Sequence, residues 1–481
     1  MQSSAQPREP RVFPPWTGPD LLSAMTPVAK RVVLRFLTVY EVGRAARWSF
    51  SWSRGLRGLL RHDAQLWLQR FLRYVEGASN LNHPFESRIP IRVPIDLCLT
   101  VATPDVHYIN MFFPTIALSE SVRRVLAAVL PTLRAFDAPM HDPVPVLSHV
   151  IDNAPHLETL SLYRLPASPE APLRVFEPVN LQALSLYVQM GDLDRTDATP
   201  LRVAETVEKM KVNCARLLAL DICDSLNSLT PSFYEKVGRA CPHILALRVQ
   251  GTGFSRNCPV PLEFFPSLRS CTISAEYGSA RLISQLEACC PLLDDVSLDI
   301  RPPVATETEP SPSRAAQALV ASLISLICAR PAMRSIILSS NLATDDAMLA
   351  ISQSCPLLRR LHVRHNPVAF SSDARDFGIF AVFAACPLIC DLRLTSEICS
   401  VRVLQALHHA LPHLRDFGTI TAPYGLYCHS MTTDDEFTNA WKALIAVRPA
   451  LVKANKCEDW SEYIRLRRMA RLLPNPFLRN P

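Results

Sequence analysis

Glycine is scarce in this chain, 13 residues in 481, while proline is plentiful at 41. A protein built on glycine-rich phosphate loops or tight hairpins is therefore not expected, and proline at this density means regular interruption of secondary structure. No apolar run approaches the roughly 18 to 20 residues that a membrane span requires. The opening stretch "MQSSAQPREPRVFPPW" lacks the apolar centre of a secretory signal, so a cytoplasmic or nuclear protein without a membrane partner is expected. No Ser/His/Asp arrangement or paired carboxylate stands out, and Asp294-Asp295 and Asp345-Asp346 are merely adjacent. "GTG" at 251 to 253 follows a strand-like run but lacks the third glycine and acidic partner of a dinucleotide loop. Catalysis is not expected, nor is a cofactor. What is present is 48% hydrophobic residues with 20% charged, a globular composition long enough for several domains or one repeat array. The 15 cysteines are odd in number and sit mostly inside apolar patterns, as reduced thiols acting as small buried hydrophobes do.

The prolines recur. "SCPLLRRLHVRH" (354 to 365) has counterparts in "ACPHILALRV" at 240, "CCPLLDDVSL" at 289, "ARPAMRSIIL" at 329, "ACPLICDLRL" at 385 and "ALPHLRDFGT" at 410. "LPTLRAFDAP" at 130, "APHLETLSLY" at 154, "PVNLQALSLY" at 178, "NCARLLALDI" at 213 and "FFPSLRSCTI" at 264 fit the same frame, the third and fourth without proline at the anchor. Anchors fall at 131, 155, 179, 215, 242, 266, 291, 331, 356, 387 and 412, a period near 25 with insertions, which marks a solenoid. A zinc site from Cys355, His362 and His365 would need four converging ligands. The frame instead scatters Cys241, Cys290, Cys355 and Cys386 to equivalent places in different units, so no metal is expected. His408, His409 and His413 fall around one helix-to-strand turn and read as structural.

Each unit runs Pro-x-Leu-x-x-Leu-x-Leu and then a helical stretch such as "TDDAMLAISQSC". In its strand Leu361 and Val363 point one way and His362 and Arg364 the other. This resembles the cysteine-containing leucine-rich repeat, with "IILSSNLATDDAMLAISQSCPLLRRLHV" (336 to 363) matching best: Asn341 stands at the Cys/Asn position and Ala343-Thr344-Asp345 at Ile-Thr-Asp. The resemblance covers about 125 to 425 and implies an α/β horseshoe solenoid with parallel strands on its concave face. The unit from 291 to 331 is longer than the period by about 15 residues. That excess coincides with "RPPVATETEPSPSR" (301 to 314), expected to be a mobile insertion in which Ser311 and Ser313 are phosphorylation candidates. Residues 426 to 481 read as a helical cap on the open end.

Residues 21 to 75 carry ten Lys or Arg against Glu41 and Asp63, a net of +8 that leaves −2 of the chain's +6 for everything else. Within them "FLTVYEVGRAARWSFSW" (36 to 52) resembles the second half of an F-box, with Leu37, Glu41, Val42, Arg44, Ala45, Ala46, Ser49 and Trp52 in register. "RHDAQLWLQRFL" (61 to 72) resembles the Asp-x-x-Leu-Trp stretch often found after that motif. The first half departs from the pattern at Pro27, Val28 and Lys30. The chain thus resembles F-box proteins with leucine-rich repeats of a fungal-like kind: a disordered tail (1 to 20), a small all-α F-box-like domain (21 to 75), a linker or N-terminal cap (76 to 124), then the array. The resemblance implies the substrate-recognition subunit of an SCF-type cullin–RING ubiquitin ligase. Val33, Leu34, Leu37, Val42 and Trp52 would bind the adaptor, the cullin would be reached indirectly, and the concave face would hold an unknown target protein. The strand frame puts Tyr163, Tyr187, Arg248, Arg360, His362, Arg364 and Arg393 on that face, aromatic at the start and positively charged near the end. The alternative is a non-catalytic repeat scaffold whose basic helical N-terminal region binds nucleic acid or an acidic surface.

Overall fold

A computed structural model describes Leu60 and residues 106–110, 120–138, 144–162, 178–188, 214–224, 229, 231–251, 260–275, 280–300, 312–364, 376–395, 399–420, 439–440, 442–444, 446 and 452–453. The chain divides into two compact units, Met1–Thr103 and Pro104–Pro481. Of the first only Leu60, helical and buried, is described, so the F-box-like residues Val33, Leu34, Leu37, Val42 and Trp52 lie outside the described residues.

Among the described residues of the second unit lies one sheet of thirteen strands in chain order: β1 (Tyr108–Asn110), β2 (Ala135–Ala138), β3 (Thr159–Leu162), β4 (Ala183–Val188), β5 (Ala219–Asp224), β6 (Ala246–Gly251), β7 (Ser270–Ala275), β8 (Asp295–Ile300), β9 (Ser335–Ser339), β10 (Arg360–Arg364), β11 (Asp391–Thr395), β12 (Asp416–Ile420) and β13 (Val452–Lys453). Every neighbouring pair is parallel. Strand order that follows chain order with parallel pairing is what a solenoid produces, since each unit contacts only its neighbours. The sheet carries one strand ahead of residue 125 and one beyond 425, in stretches the sequence suggested were linker and helical cap.

Alternation explains why these segments are strands. Position two of each strand, from Leu184 through Leu220, Leu247, Cys271, Val296, Ile336 and Leu361 to Leu392, is 2% exposed or less, and position four from Leu186 to Leu394 is 3% or less. The register stacks each of these on its counterpart next door: Leu220 on Leu247, Leu361 on Leu392. Each such side chain removed from water contributes roughly 1.5 to 3 kcal/mol.

Eight α-helices among the described residues pack on the other side of these apolar positions: α1 (Glu120–Val129), α2 (Val144–Asn153), α3 (Pro231–Ala240), α4 (Ala280–Cys289), α5 (Pro312–Ala329), α6 (Asp345–Ser354), α7 (Asp376–Ala385) and α8 (Val401–Ala410). Helix α6 starts where Thr344 accepts a hydrogen bond from the Ala347 amide, and α8 where Ser400 does the same for Val403. Asp345 and Asp346 therefore occupy a helix's first turn, where their charge meets the positive end of the dipole. Between β6 and β7 the described residues include a 3₁₀ turn, Leu262–Phe264. It packs so closely on α3 that a Cβ at Gly238 would sit 2.5 Å from Phe264 Cβ.

Helix α5 changes one expectation. It has 18 residues where its neighbours have 10, and it takes in Pro312, Ser313 and Arg314, the end of the segment read as a mobile loop. About half of the excess in this unit is thus helix. Proline at 312 suits a first helical turn, where no amide partner is lost.

Two ladders join the units. In the first, the Cys214 thiol donates to Pro178 O (3.6 Å), Cys241 to Cys214 O (3.0 Å), Cys355 to Arg330 O (4.0 Å) and Cys386 to Cys355 O (3.3 Å). The frame cysteine is thus a small apolar group that also satisfies a carbonyl of the preceding unit. Burial pushes the thiols of Cys214, Cys241, Cys290 and Cys355 up to about 12. Arg330 stands at a cysteine position and reaches the same kind of acceptor: its Nε donates to Cys290 O at 3.2 Å and a terminal nitrogen to Glu287 O at the end of α4. In the second ladder, one carbonyl just before each strand accepts two amides from the next unit, as Arg359 O does from Cys390 and Asp391. Asn341 adds a tie of its own, donating to Ile300 O at 2.9 Å. Among the described residues no helix is long and apolar enough to cross a membrane.

Candidate functional site

With positions two and four directed to the core, positions one, three and five of each strand form the opposite, concave surface of the sheet. Along position three the register runs Asp137, Ser161, Ser185, Asp221, Arg248, Thr272, Ser297, Ile337, His362, Arg393 and Gly418. This row was expected to be open. Instead Asp137, Ser161, Ser185, Asp221 and Ser297 are each under 5% exposed. Small hydroxyls and carboxylates in a tight parallel stack leave little area for a probe to reach, and Asp221 is further enclosed by its partners. Arg248 Nε lies 3.8 Å from its Oδ1, and Ser185 donates to its Oδ2 at 3.5 Å. Arg248 is consequently a half-buried partner of Asp221 and not a solvated side chain. Tyr163 falls outside the described residues, as does the Tyr187 side chain, although Tyr187 itself sits in β4 opposite Cys223.

The C-terminal end is where the charges meet. Register places Arg360 beside Asp391 and His362 beside Arg393, on adjacent strands about 4.8 Å apart. Arg360 Nε donates to Asp391 Oδ2 at 2.9 Å, His362 Nε2 donates to Asp391 Oδ1 at 2.8 Å, and Arg393 Nε lies 3.7 Å from Oδ1. Burial alone would raise the Asp391 carboxyl, but the His362 hydrogen bond and the Arg360 and Arg393 charges together outweigh it and hold the group at about 2. Burial pushes the His362 imidazole below its usual range despite the pull of Asp391, so at neutral pH it is the uncharged, Nε2-protonated form that donates.

The expected patch of positive side chains is therefore a charge cluster with an acid at its centre. Asp416 on β12 lies in register with Asp391. On β10 to β12, three guanidiniums, from Arg360, Arg364 and Arg393, accompany two carboxylates, leaving about +1 where the arginines alone suggest +3. His362 is 5% exposed and acts as a clamp on Asp391. Arg360 is the most accessible of the cluster around Asp391, its side chain 41% exposed. Its Nε is held on Asp391, and its charge also acts on Asp295 of β8, two strands away across Ser335. Asp391 was missed in the sequence, yet a signal existed: aligning "CDLRLT" with "RRLHVR" on the repeat frame already sets position 391 against 360.

Cys355 and His362, weighed as metal ligands, are engaged separately, the thiol with Arg330 O and the imidazole with Asp391; His365 lies outside the described residues. Among the described residues no three His, Cys, Asp or Glu side chains are grouped to hold a metal ion.

No family model and no curated relative matches the sequence. Among solved structures, the chain is similar to Rad7 in the yeast Rad7–Elc1 complex, at 15% identity over 83% of this chain and 94% of that one, with a TM-score of 0.47. It is also similar to the leucine-rich repeat-containing protein LegL7 of Legionella pneumophila, at 11% identity over 71% of this chain and 97% of that one, TM-score 0.38. A protein of Bacteroides fragilis is a third, at 12% identity over 59% and 68%, TM-score 0.31. The fold itself follows from the chain's own repeat frame, strand order and helix placement: it is a leucine-rich-repeat solenoid.

Proposed function

We propose that the chain is a non-catalytic interaction protein, the target-holding subunit of an SCF-type cullin–RING ubiquitin ligase. The observation that carries this reading is an extended parallel sheet whose outer row mixes fixed charges and hydroxyls, joined in one chain to an F-box-like segment at 36 to 52. Such arrays present long surfaces to other proteins. The apolar face of Val33, Leu34, Leu37, Val42 and Trp52 would dock on the adaptor, and the cullin would be reached through it. The array would hold the target through Tyr163 and Tyr187 near its start and through Arg360 and Arg364 near its end, with His362, Arg393 and Asp391 setting the orientation of Arg360, and Arg248 set by Asp221. Tethering does the work: it raises the effective concentration of target lysines near the conjugating enzyme.

The test is recovery of adaptor and cullin on the full-length chain, wild type against a Leu37→Asp, Trp52→Ala double mutant. Burying a carboxylate in an apolar interface costs several kcal/mol, so adaptor recovery should fall by a hundredfold or more while the array keeps its circular dichroism. Equal recovery by the folded double mutant refutes the ligase reading. If the wild type instead retains nucleic acid, with affinity that drops steeply between low and moderate salt, the basic N-terminal scaffold is the correct account.

A further inference from the structure

The carbonyl ladder that ties the units together also aligns a column of side chains along one edge of the array. Its members are the residues immediately before the strands, and the hydrogen bonds fix their order. Asp294 donates its amide to Arg269 O, Arg334 to Asp294 O, Arg359 to Arg334 O, Cys390 to Arg359 O and Arg415 to Cys390 O. Toward the N-terminus the same ladder passes through Arg134, Glu158, Gln182, Leu218 and Leu245. There the charges cancel, Arg134 pairing with Glu158 at 3.3 Å. In the C-terminal half they do not. Arg269, Arg334, Arg359 and Arg415 are all exposed, against the single acid Asp294, a net of +3 over six consecutive units. Arg359 and Arg415 make no ion pair or side-chain hydrogen bond among the described residues.

Two residues earlier in the units of Asp294 and Arg359, at the turn after the frame proline, stand two of the four exposed large apolar side chains among the described residues: Leu292 is 53% exposed and Leu357 45%. They belong to the units whose ladder residues are Asp294 and Arg359, with the unit of Arg334 between them. Adjacent ladder positions are about 4.8 Å apart, so charges one or two units apart fall within about a Debye length of each other and act together.

We propose that this edge docks an acidic, leucine-bearing segment of a partner protein. Five steps from Arg269 to Arg415 span about 24 Å, which an extended segment of about seven residues covers. Arginines around accessible aliphatic side chains are the mixture found in protein interfaces, with leucines burying apolar area and guanidiniums pairing carboxylates at the rim. A single-stranded nucleic acid would want aromatic faces for its bases, and this edge presents leucine and proline instead. The surface is separate from the concave cluster around Asp391, so it stands or falls apart from the ligase reading.

The test uses the full-length chain and a short fluorescent peptide alternating glutamate and leucine, long enough to span the column, titrated by anisotropy at low and moderate salt. The controls are a polyglutamate of equal charge, a single-stranded RNA of similar contour length, and vesicles containing phosphatidylserine. Arg334→Glu, Arg359→Glu, Arg415→Glu together should weaken the Glu/Leu peptide about tenfold or more and flatten its salt dependence, and Leu292→Ser, Leu357→Ser should weaken it about threefold while leaving polyglutamate unchanged. Arg→Gln at the same three positions serves where the charge reversal disturbs circular dichroism. No binding by the wild type, or unchanged binding by the triple variants, overturns the proposal. So does RNA or vesicle binding that is tighter than the peptide's and is lost in the same variants.

Discussion

Replacing Asp391 with asparagine removes the one acid at the centre of three basic side chains while keeping its shape, and the structure sets the size of the result. The carboxyl lies at about 2 instead of 3.8, a depression of nearly two units. At 1.36 kcal/mol per unit, this corresponds to about 2 kcal/mol of stability at neutral pH. A fully buried pair would lose about 3 to 5 kcal/mol on truncation, but the Arg360 side chain is 41% exposed and its attraction is screened by solvent. The sign follows from linkage. The folded-state value is below the unfolded one, so the stabilisation is fully present above about pH 4, is about half gone near pH 3 and vanishes below about pH 2. His362 works in the same direction: its folded value is depressed, so the unfolded chain takes up that proton first, and stability falls as pH drops below about 6.5. Urea unfolding of wild type and Asp391→Asn from pH 7 to pH 3 measures the difference directly. A gap of about 2 kcal/mol at pH 7 that shrinks by about half at pH 3 is expected from that linkage. A gap under about 0.5 kcal/mol, the range of an exposed pair, or one independent of pH, refutes the ion-pair account.

Two other perturbations probe the array's packing. Gly238→Ala would put a Cβ 2.5 Å from Phe264 Cβ and 2.9 Å from its carbonyl oxygen, and Gly378→Ala one 2.8 Å from Met348 Cβ and 2.9 Å from Asp345 Oδ1, so each should cost about 1 to 3 kcal/mol in thermal or denaturant unfolding. A wild-type midpoint in either variant would mean that the close approach of α3 to the 3₁₀ turn, or of α6 to α7, is relaxed in solution. Because Cys214, Cys241, Cys290 and Cys355 are held up at about 12 and are buried while Cys328 is exposed, alkylation at pH 8 followed by mass spectrometry should label Cys328 in the native protein and the ladder thiols only after denaturation. Early labelling of the ladder thiols would contradict their burial.

The repeat frame was legible in the sequence because it is set by local rules. Proline stands at nine of the eleven frame anchors, and the Leu-x-x-Leu-x-Leu spacing commits positions two and four of a strand to one side, so Leu361 and Val363 could be assigned to the core from their spacing alone. The cysteine before the proline was equally readable as a buried apolar group. What the tertiary structure decided is everything that depends on neighbours a whole repeat away along the chain. The arginines at 360, 364 and 393 looked like a free positive patch until parallel pairing set Asp391 against Arg360 and Asp416 against Asp391. Arg330, at a cysteine position of the frame, places its guanidinium on carbonyls of the preceding unit, a contact that only the fold shows. Residues 312 to 314 read as loop because their composition is Pro- and Ser-rich, but a long helix needs a start, and proline is acceptable there. The edge column did leave a trace, arginine three residues after the frame proline at 134, 269, 334, 359 and 415, but its residues lie just outside the strand alternation, so only the ladder shows that they line up along one edge. A sequence can state which face a residue belongs to, because that follows from backbone geometry. Whether its charge is cancelled depends on which residue the ladder brings to its side.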